Sequence, residues 1–132
     1  MERILRINAK ELKEKILAGE RDFKSIALPE GADLSRLVPE LNDYLKQQDL
    51  ATCPLKFSGA KLIRVILPRI YLPYVIMSGA DMSGADIRKA RGLESAVGLD
   101  SVIFRETIVT CAEQRIIENA RKNLKMFDVR LS

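Results

Sequence analysis

Residues 57–92 read FSGAKLIRVILPRIYLPYVIMSGADMSGADIRKARG, with a large apolar residue at every fifth position and a second apolar residue two places before each. Five residues advance an α-helix by roughly 140°, so these positions would wind around a helix and form no single face. Pro68 and Pro73 would also interrupt a helix, and on a flat strand an odd period changes face at every repeat. The pattern therefore predicts a chain that turns once every five residues, with the paired apolar positions inside. The large residues are Phe57, Leu62, Leu67, Leu72, Met77, Met82 and Ile87, and the residues two before them are Leu55, Ala60, Val65, Ile70, Val75, Ala80 and Ala85.

Two repeats carry the motif most fully, ADMSG at residues 80–84 and ADIRK at residues 85–89, and AKL at 60–62 and ADL at 32–34 match it in part. These residues resemble the pentapeptide-repeat family, whose pattern is a small residue, Asp or Asn, Leu and two variable residues. The resemblance implies a mainly β fold, a right-handed quadrilateral β-helix with four pentapeptides per coil. The helix followed by GERDF at residues 19–23 is similar to the start of cyanobacterial members.

Three positions depart from the family pattern, because Val65, Ile70 and Val75 are larger than the residue that the family prefers there. Added bulk inside a coil should widen or distort it locally. We therefore expect the regularity of the coil to fail across residues 63–77.

The rest of the chain is interpreted as parts of one domain, residues 1–132. A short strand is expected within residues 3–7, and a helix over residues 9–18 that begins at Asn8, with Glu11 completing a capping box. First repeats are predicted at residues 23–34 and an insertion at 36–56, with a helix over 39–48 or, alternatively, a distorted pair of repeats. The main coils are predicted at residues 57–109, where the inward pairs after the main run are Val97 with Leu99, Val102 with Phe104 and Thr107 with Val109.

A second capping box, Thr110 with Glu113, predicts a helix over residues 111–125. Its apolar face would be formed by Ile116, Ala120, Leu124 and Phe127. Because repeat stacks expose their core at both ends, the N-terminal and C-terminal helices are expected to cap them.

The composition leaves little catalytic chemistry. The chain has no histidine, which excludes Ser-His-Asp and Cys-His pairs and histidine-based metal sites. It contains no GxxxxGK[ST] or GxGxxG sequence. Asp81 and Asp86 occupy the same position of successive repeats, so the repeat itself explains them. We expect no enzyme activity, no cofactor, no catalytic residue and no metal site.

The two cysteines, Cys53 and Cys111, permit one disulfide but are interpreted as reduced thiols, with Cys111 a small buried side chain at the start of the last helix. Residues 1–7 alternate charged and apolar side chains, unlike a secretory signal. The most apolar stretch, residues 62–77, is short and contains two arginines. A cytoplasmic protein without a membrane partner is therefore expected.

The charge of the chain is concentrated in the repeats. Residues 57–92 contain six Lys or Arg against two Asp, which equals the net charge of +4 of the whole chain. If one coil takes twenty residues, Arg69 lies beneath Lys89 and Tyr71 beneath Arg91. The candidate partner-binding residues are Arg69, Tyr71, Arg88, Lys89 and Arg91, and a cation–π contact between Tyr71 and Arg91 would fit this role. The alternative is an ordinary solvated face.

These observations favour a non-enzymatic protein–protein interaction scaffold with an acidic protein partner. The alternative is a nucleic-acid or topoisomerase-associated binding protein that uses the basic face of residues 57–92. Some members of the family mimic DNA and protect or inhibit gyrase. That role needs an acidic rod, and this stretch is basic. A homodimer through the C-terminal helix is left open.

Overall fold

The backbone of residues 56–91 returns beside itself every twenty residues in the computed structural model, which describes residues 4–121 and 129–131. Each return, here called a layer, is joined to the next by parallel backbone bridges. Four bridges link residues twenty apart, on four successive sides of the layer: Lys56 with Ile76, Lys61 with Asp81, Ile66 with Asp86 and Tyr71 with Arg91. The predicted twenty-residue stacking is confirmed.

The predicted mainly β fold, a right-handed quadrilateral β-helix, is wrong. The strands among the described residues have only two or three residues each, and pairing elsewhere in the repeats is limited to single bridges between turns. Three α-helices of nine, eight and ten residues contain more of the chain than these strands do. The cause lies in the period, because a corner every five residues leaves too few extended residues on each side for a strand. The strands are β1 (Leu5–Arg6), β2 (Ile26–Ala27), β3 (Thr107–Val109) and β4 (Val129–Leu131); β1 pairs with β2, and β3 with β4, both in parallel.

The core is formed by the paired apolar positions. All seven large residues from Phe57 to Ile87, and all seven residues two before them, are at most 7% exposed. Phe57 stacks on Phe23 of the layer below with ring centroids 5.4 Å apart. Leu34 is fully buried, which confirms that the apolar period resumes there. The inward direction of the five-residue pattern is therefore confirmed.

The expected distortion across residues 63–77 does not occur, because Ile66 and Tyr71 keep the twenty-residue spacing in their bridges to the layer above. The bridge register places Val65 beneath Ala85 and Ile70 beneath Ala90. Val75 lies beneath Ala96 in the same way, since Ile76 pairs with Val97. Each large side chain thus meets an alanine in the layer above, and the two volumes complement each other.

The irregular part of the stack lies later, at two 3-10 helices, Leu93–Ser95 and Leu99–Ser101. Each adds residues to its side, so that Asp81 pairs with Ile103 rather than with a residue twenty further on. Val97 is 52% exposed, so its predicted inward pairing with Leu99 is wrong. The pairs Val102 with Phe104 and Thr107 with Val109 are buried as predicted.

The lower end of the stack is covered by α1, Ala9–Leu17. The Asn8 side chain accepts a hydrogen bond from the Glu11 N–H at 2.8 Å, as the capping pattern predicts. Leu12 and Ile16 are buried against the first layer, and Leu17 is half-buried. The N-terminal helix is confirmed, one residue shorter than predicted.

Residues 36–56 contain α2, Val38–Leu45, which confirms a helix rather than distorted repeats, although it begins and ends earlier than predicted. α2 lies on the side of the stack that contains Tyr71. Among the described residues, Tyr71 has a backbone bridge to the layer above, with Arg91, but none to a layer below. Asn42 supplies the missing pairing: its side-chain amide donates to the Arg69 carbonyl at 2.9 Å and accepts from the Tyr71 N–H at 2.8 Å. One side chain thereby replaces a backbone bridge and fixes α2 against the repeats.

The upper end is covered by α3, Cys111–Ala120, with the predicted capping box of Thr110 and Glu113. The predicted apolar face is wrong in part, because Ile117 is fully buried, Ile116 is half-buried and Ala120 is exposed. The predicted end of this helix at residue 125, with Leu124 and Phe127, lies outside the described residues.

Candidate binding surface

The corners of the layers place certain side chains outward in a fixed direction. The residue two after each large apolar residue has a left-handed backbone, with φ of 63° at Arg69 and 60° at Lys89. The Arg69 N–H donates to the Arg88 carbonyl of the next layer at 2.9 Å. The Lys89 N–H lies beneath α3 and donates instead to the Glu113 carboxylate, also at 2.9 Å. Arg69 and Lys89 therefore occupy the same corner of consecutive layers.

The five sequence-predicted site residues fall into two groups. Arg69, Arg88 and Lys89 line one cleft, whereas Tyr71 and Arg91 pair with each other on the adjoining side. Among the described residues, cation–π contacts are made by Arg21 and Arg121, and the contact predicted between Tyr71 and Arg91 is not formed.

Arg88 differs from the other cations. Its guanidinium donates two hydrogen bonds to the Asp86 carboxylate, at 3.0 and 2.8 Å. In contrast, the ion pairs found in the described part of the chain do not include Arg69, Lys89 or Arg91, which are exposed. Three of the four predicted cations are thus available to a partner.

The cleft beside this corner has a volume of about 610 Å³. One wall is the N-terminus of α2, and the other is the column of corner residues that leads up to the cap of α3. Sequence reasoning did not place α2 at this site. The sequence contains little indication of this position, because the contact that shows α2 beside Arg69 is the tertiary hydrogen bond of Asn42. The lining residues are Ser35, Val38, Pro39, Pro68, Arg69, Arg88, Lys89 and Thr110.

The aspartates of the repeats have a structural task. The carboxylates of Asp81 and Asp86 accept a hydrogen bond from the N–H two residues on, at 3.0 and 3.1 Å, and Asp22 and Asp33 do the same. These bonds hold the chain in its turn at the corner. Asp81 and Asp86 lie on different sides of one layer, which agrees with their interpretation as repeat residues.

The Asp86 side chain is 9% exposed, and burial alone would raise its pKa. Hydrogen bonds from the Arg88 side chain and N–H, together with the charge of the Arg88 guanidinium, outweigh this effect, so the pKa of Asp86 is lowered overall. A lowered pKa means that the ionised carboxylate stabilises the fold above the ordinary pKa of aspartate, about 3.9. This contribution is lost as the pH falls through the lower pKa of the folded state.

We expect Asp86→Asn to lower the free energy of unfolding at pH 7 by about 1–3 kcal/mol, because two charge-assisted hydrogen bonds are weakened. The difference from the wild type should shrink on acidification below pH about 4. Urea unfolding at several pH values measures it. Asp43→Asn, an exposed change on α2, is the control. A difference for Asp86→Asn that stays constant down to pH about 2 would contradict the assigned role.

Three further observations concern other expectations. Cys53 and Cys111 are free and exposed, so the prediction that Cys111 is buried is wrong. In the described ranges, no three His, Cys, Asp or Glu side chains are grouped to hold a metal ion. Across residues 4–121 and 129–131, no helix has the length and apolar character needed to span a membrane.

The period, the corners and the acidic turn residues now allow comparison with known proteins. A family model for pentapeptide repeats matches residues 56–91, with eight copies. The chain therefore contains pentapeptide repeats at residues 56–91. The match ends at Arg91, and α1, α2 and α3 all lie outside it. A search of curated proteins finds no match.

Proposed function

We propose that this protein is a non-enzymatic scaffold that binds an acidic protein partner through Arg69, Tyr71, Lys89 and Arg91. One observation carries the proposal: three exposed cations on two consecutive layers, none of them in the ion pairs of the described residues. Such a group attracts negative charge and accelerates association with an acidic surface.

The support of these residues is rigid. Arg69 and Tyr71 are fixed from below by the Asn42 amide, and Lys89 is fixed from above by Glu113. A surface whose backbone is already ordered loses little conformational entropy on binding.

The proposal is tested by reversing two charges, Arg69→Glu with Lys89→Glu. The free energy of unfolding should change by less than about 1 kcal/mol, because exposed charges contribute little to stability. Binding to an acidic partner, identified by cross-linking and then purified, should weaken by at least about tenfold at low salt. Isothermal titration calorimetry measures the affinity.

The matched control is Lys61→Glu with Arg64→Glu, which makes the same change in net charge at other positions of the lower of these two layers. Equal loss of binding by both double variants would show that only net charge matters and would contradict the proposed surface. A partner that proves to be DNA or RNA, with affinity falling steeply as salt is raised, would favour the nucleic-acid alternative.

A further inference from the structure

We infer that the cleft between α2 and the corner column holds a short, extended acidic peptide segment of the partner, whose carboxylates bind between Arg69 and Lys89. This inference rests on the proposed function and specifies what part of the partner is recognised. Three observations support it: the stacking of Arg69 and Lys89, the engagement of the nearby carboxylates with other groups, and the wall that α2 forms opposite the two cations.

Arg69 and Lys89 are close together, and neither belongs to an ion pair found among the described residues. They stand at the same corner of consecutive layers, and neighbouring layers joined by bridges are about 4.8 Å apart. Like charges on adjacent layers repel each other. A carboxylate placed between Arg69 and Lys89 would remove this repulsion and accept hydrogen bonds from both side chains.

The carboxylates of the chain near this cleft are already engaged. Asp86 binds Arg88, and Glu113 is buried and accepts hydrogen bonds from Thr110 and from the Lys89 N–H. Glu40, in the first turn of α2, pairs with Lys13 at 3.1 Å. None of these three carboxylates forms an ion pair with Arg69 or Lys89, so a carboxylate of another molecule can bind both cations.

The opposite wall belongs to the N-terminus of α2, where the exposed Pro39 supplies apolar surface and Val38 is largely buried. Pro68 lies beside Arg69, and Ser35 adds a hydroxyl group to the lining. Side chains of an extended peptide alternate between two sides. A segment that alternates acidic and apolar residues can therefore direct its carboxylates to the corner column and its apolar side chains to α2.

Size and composition favour a peptide over a nucleic acid. The volume of about 610 Å³ is typical of sites for small ligands, about 300–1,000 Å³. Single-stranded nucleic acids are held by several cations together with aromatic side chains that stack on bases. The cleft has no aromatic residue among its lining residues, and Arg88 is neutralised by Asp86.

The test uses the full chain and a fluorescein-labelled octapeptide that alternates Glu with Val, followed by fluorescence anisotropy at low salt. Arg69→Gly and Lys89→Gly remove one charge each, and glycine accepts the left-handed backbone at both positions. Each should raise the Kd about tenfold, as expected for the loss of a hydrogen bond to a charged group. The control is Arg64→Gly, which removes the same charge at an equivalent corner, with φ of 58°. It should leave the Kd within about twofold.

Three results would overturn the inference. If Arg91→Gln weakens binding as much as Arg69→Gly, the peptide lies across the whole basic surface, and the proposed function survives without the cleft. If the charge-free peptide with Gln in place of Glu binds equally well, the carboxylates are not recognised. If an oligonucleotide of equal charge binds more tightly and displaces the peptide, the site takes phosphates. Thermal unfolding checks each variant, and Arg69→Asn replaces Arg69→Gly if that variant is unstable, since Asn tolerates the left-handed region.

Discussion

Leu67→Asp is expected to lower the free energy of unfolding by about 4–5 kcal/mol, a large part of the stability of a domain of this size. Leu67 is buried, and it borders an enclosed apolar cavity of about 30 Å³ between the layers and the first two helices. The carboxylate would have no cation within this lining and no polar group to hold a water molecule beside it.

Arg64→Asp is the matched comparison, because it introduces the same side chain three residues earlier at an exposed corner. Asp tolerates the left-handed backbone found there, so the change in unfolding free energy should stay within about 0.5 kcal/mol. Urea unfolding followed by circular dichroism measures both variants. Equal midpoints would mean that the inward and outward positions of the repeat are assigned wrongly.

Gly98→Ala is expected to cost about 3–4 kcal/mol, for two separate reasons. Gly98 has φ of 86°, a conformation that side chains disfavour. A Cβ at Gly98 would also lie 2.8 Å from both the N and Cα atoms of Ser78 in the layer below, so the backbone of one layer has to move.

Gly31→Ala separates the two causes. Gly31 has a similar φ of 79°, but a Cβ there would have no heavy atom within 4 Å, leaving aside its chain neighbours. This variant should cost only the conformational part, about 1–2 kcal/mol. Differential scanning calorimetry of the two variants measures the difference, which reports the closeness of the layers at Gly98. Equal losses of stability would show that this close approach carries no energy.

Much of this arrangement is predictable from sequence because it is periodic or local. The five-residue pattern determines which side chains are buried, and the capping residues Asn8 and Thr110 mark where two helices begin. The fold class was wrong because the family's overall form does not determine whether five-residue turns contain strands. α3 ends at Ala120, and most of its predicted continuation to residue 125 lies outside the described residues.

The candidate surface was only partly predictable, because its details depend on partners far apart in sequence. The twenty-residue stacking placed Arg69 beneath Lys89 correctly. The pairing of Arg88 with Asp86 was missed, although the two residues are only two apart, since side-chain direction at a corner follows from the turn. The role of Asn42 could not be seen, because no local pattern links residue 42 with residues 69 and 71.

The placement of an alanine above each of Val65, Ile70 and Val75 has a consequence for how such a protein can grow. A tandem copy of residues 58–77 would place Val65 and Ile70 beneath their own duplicates, whereas Val75 already lies above the large Leu55. The interior would then be overfilled at two positions, at a cost of about 1–3 kcal/mol each. Lengthening by internal duplication is therefore opposed by the core at Val65 and Ile70.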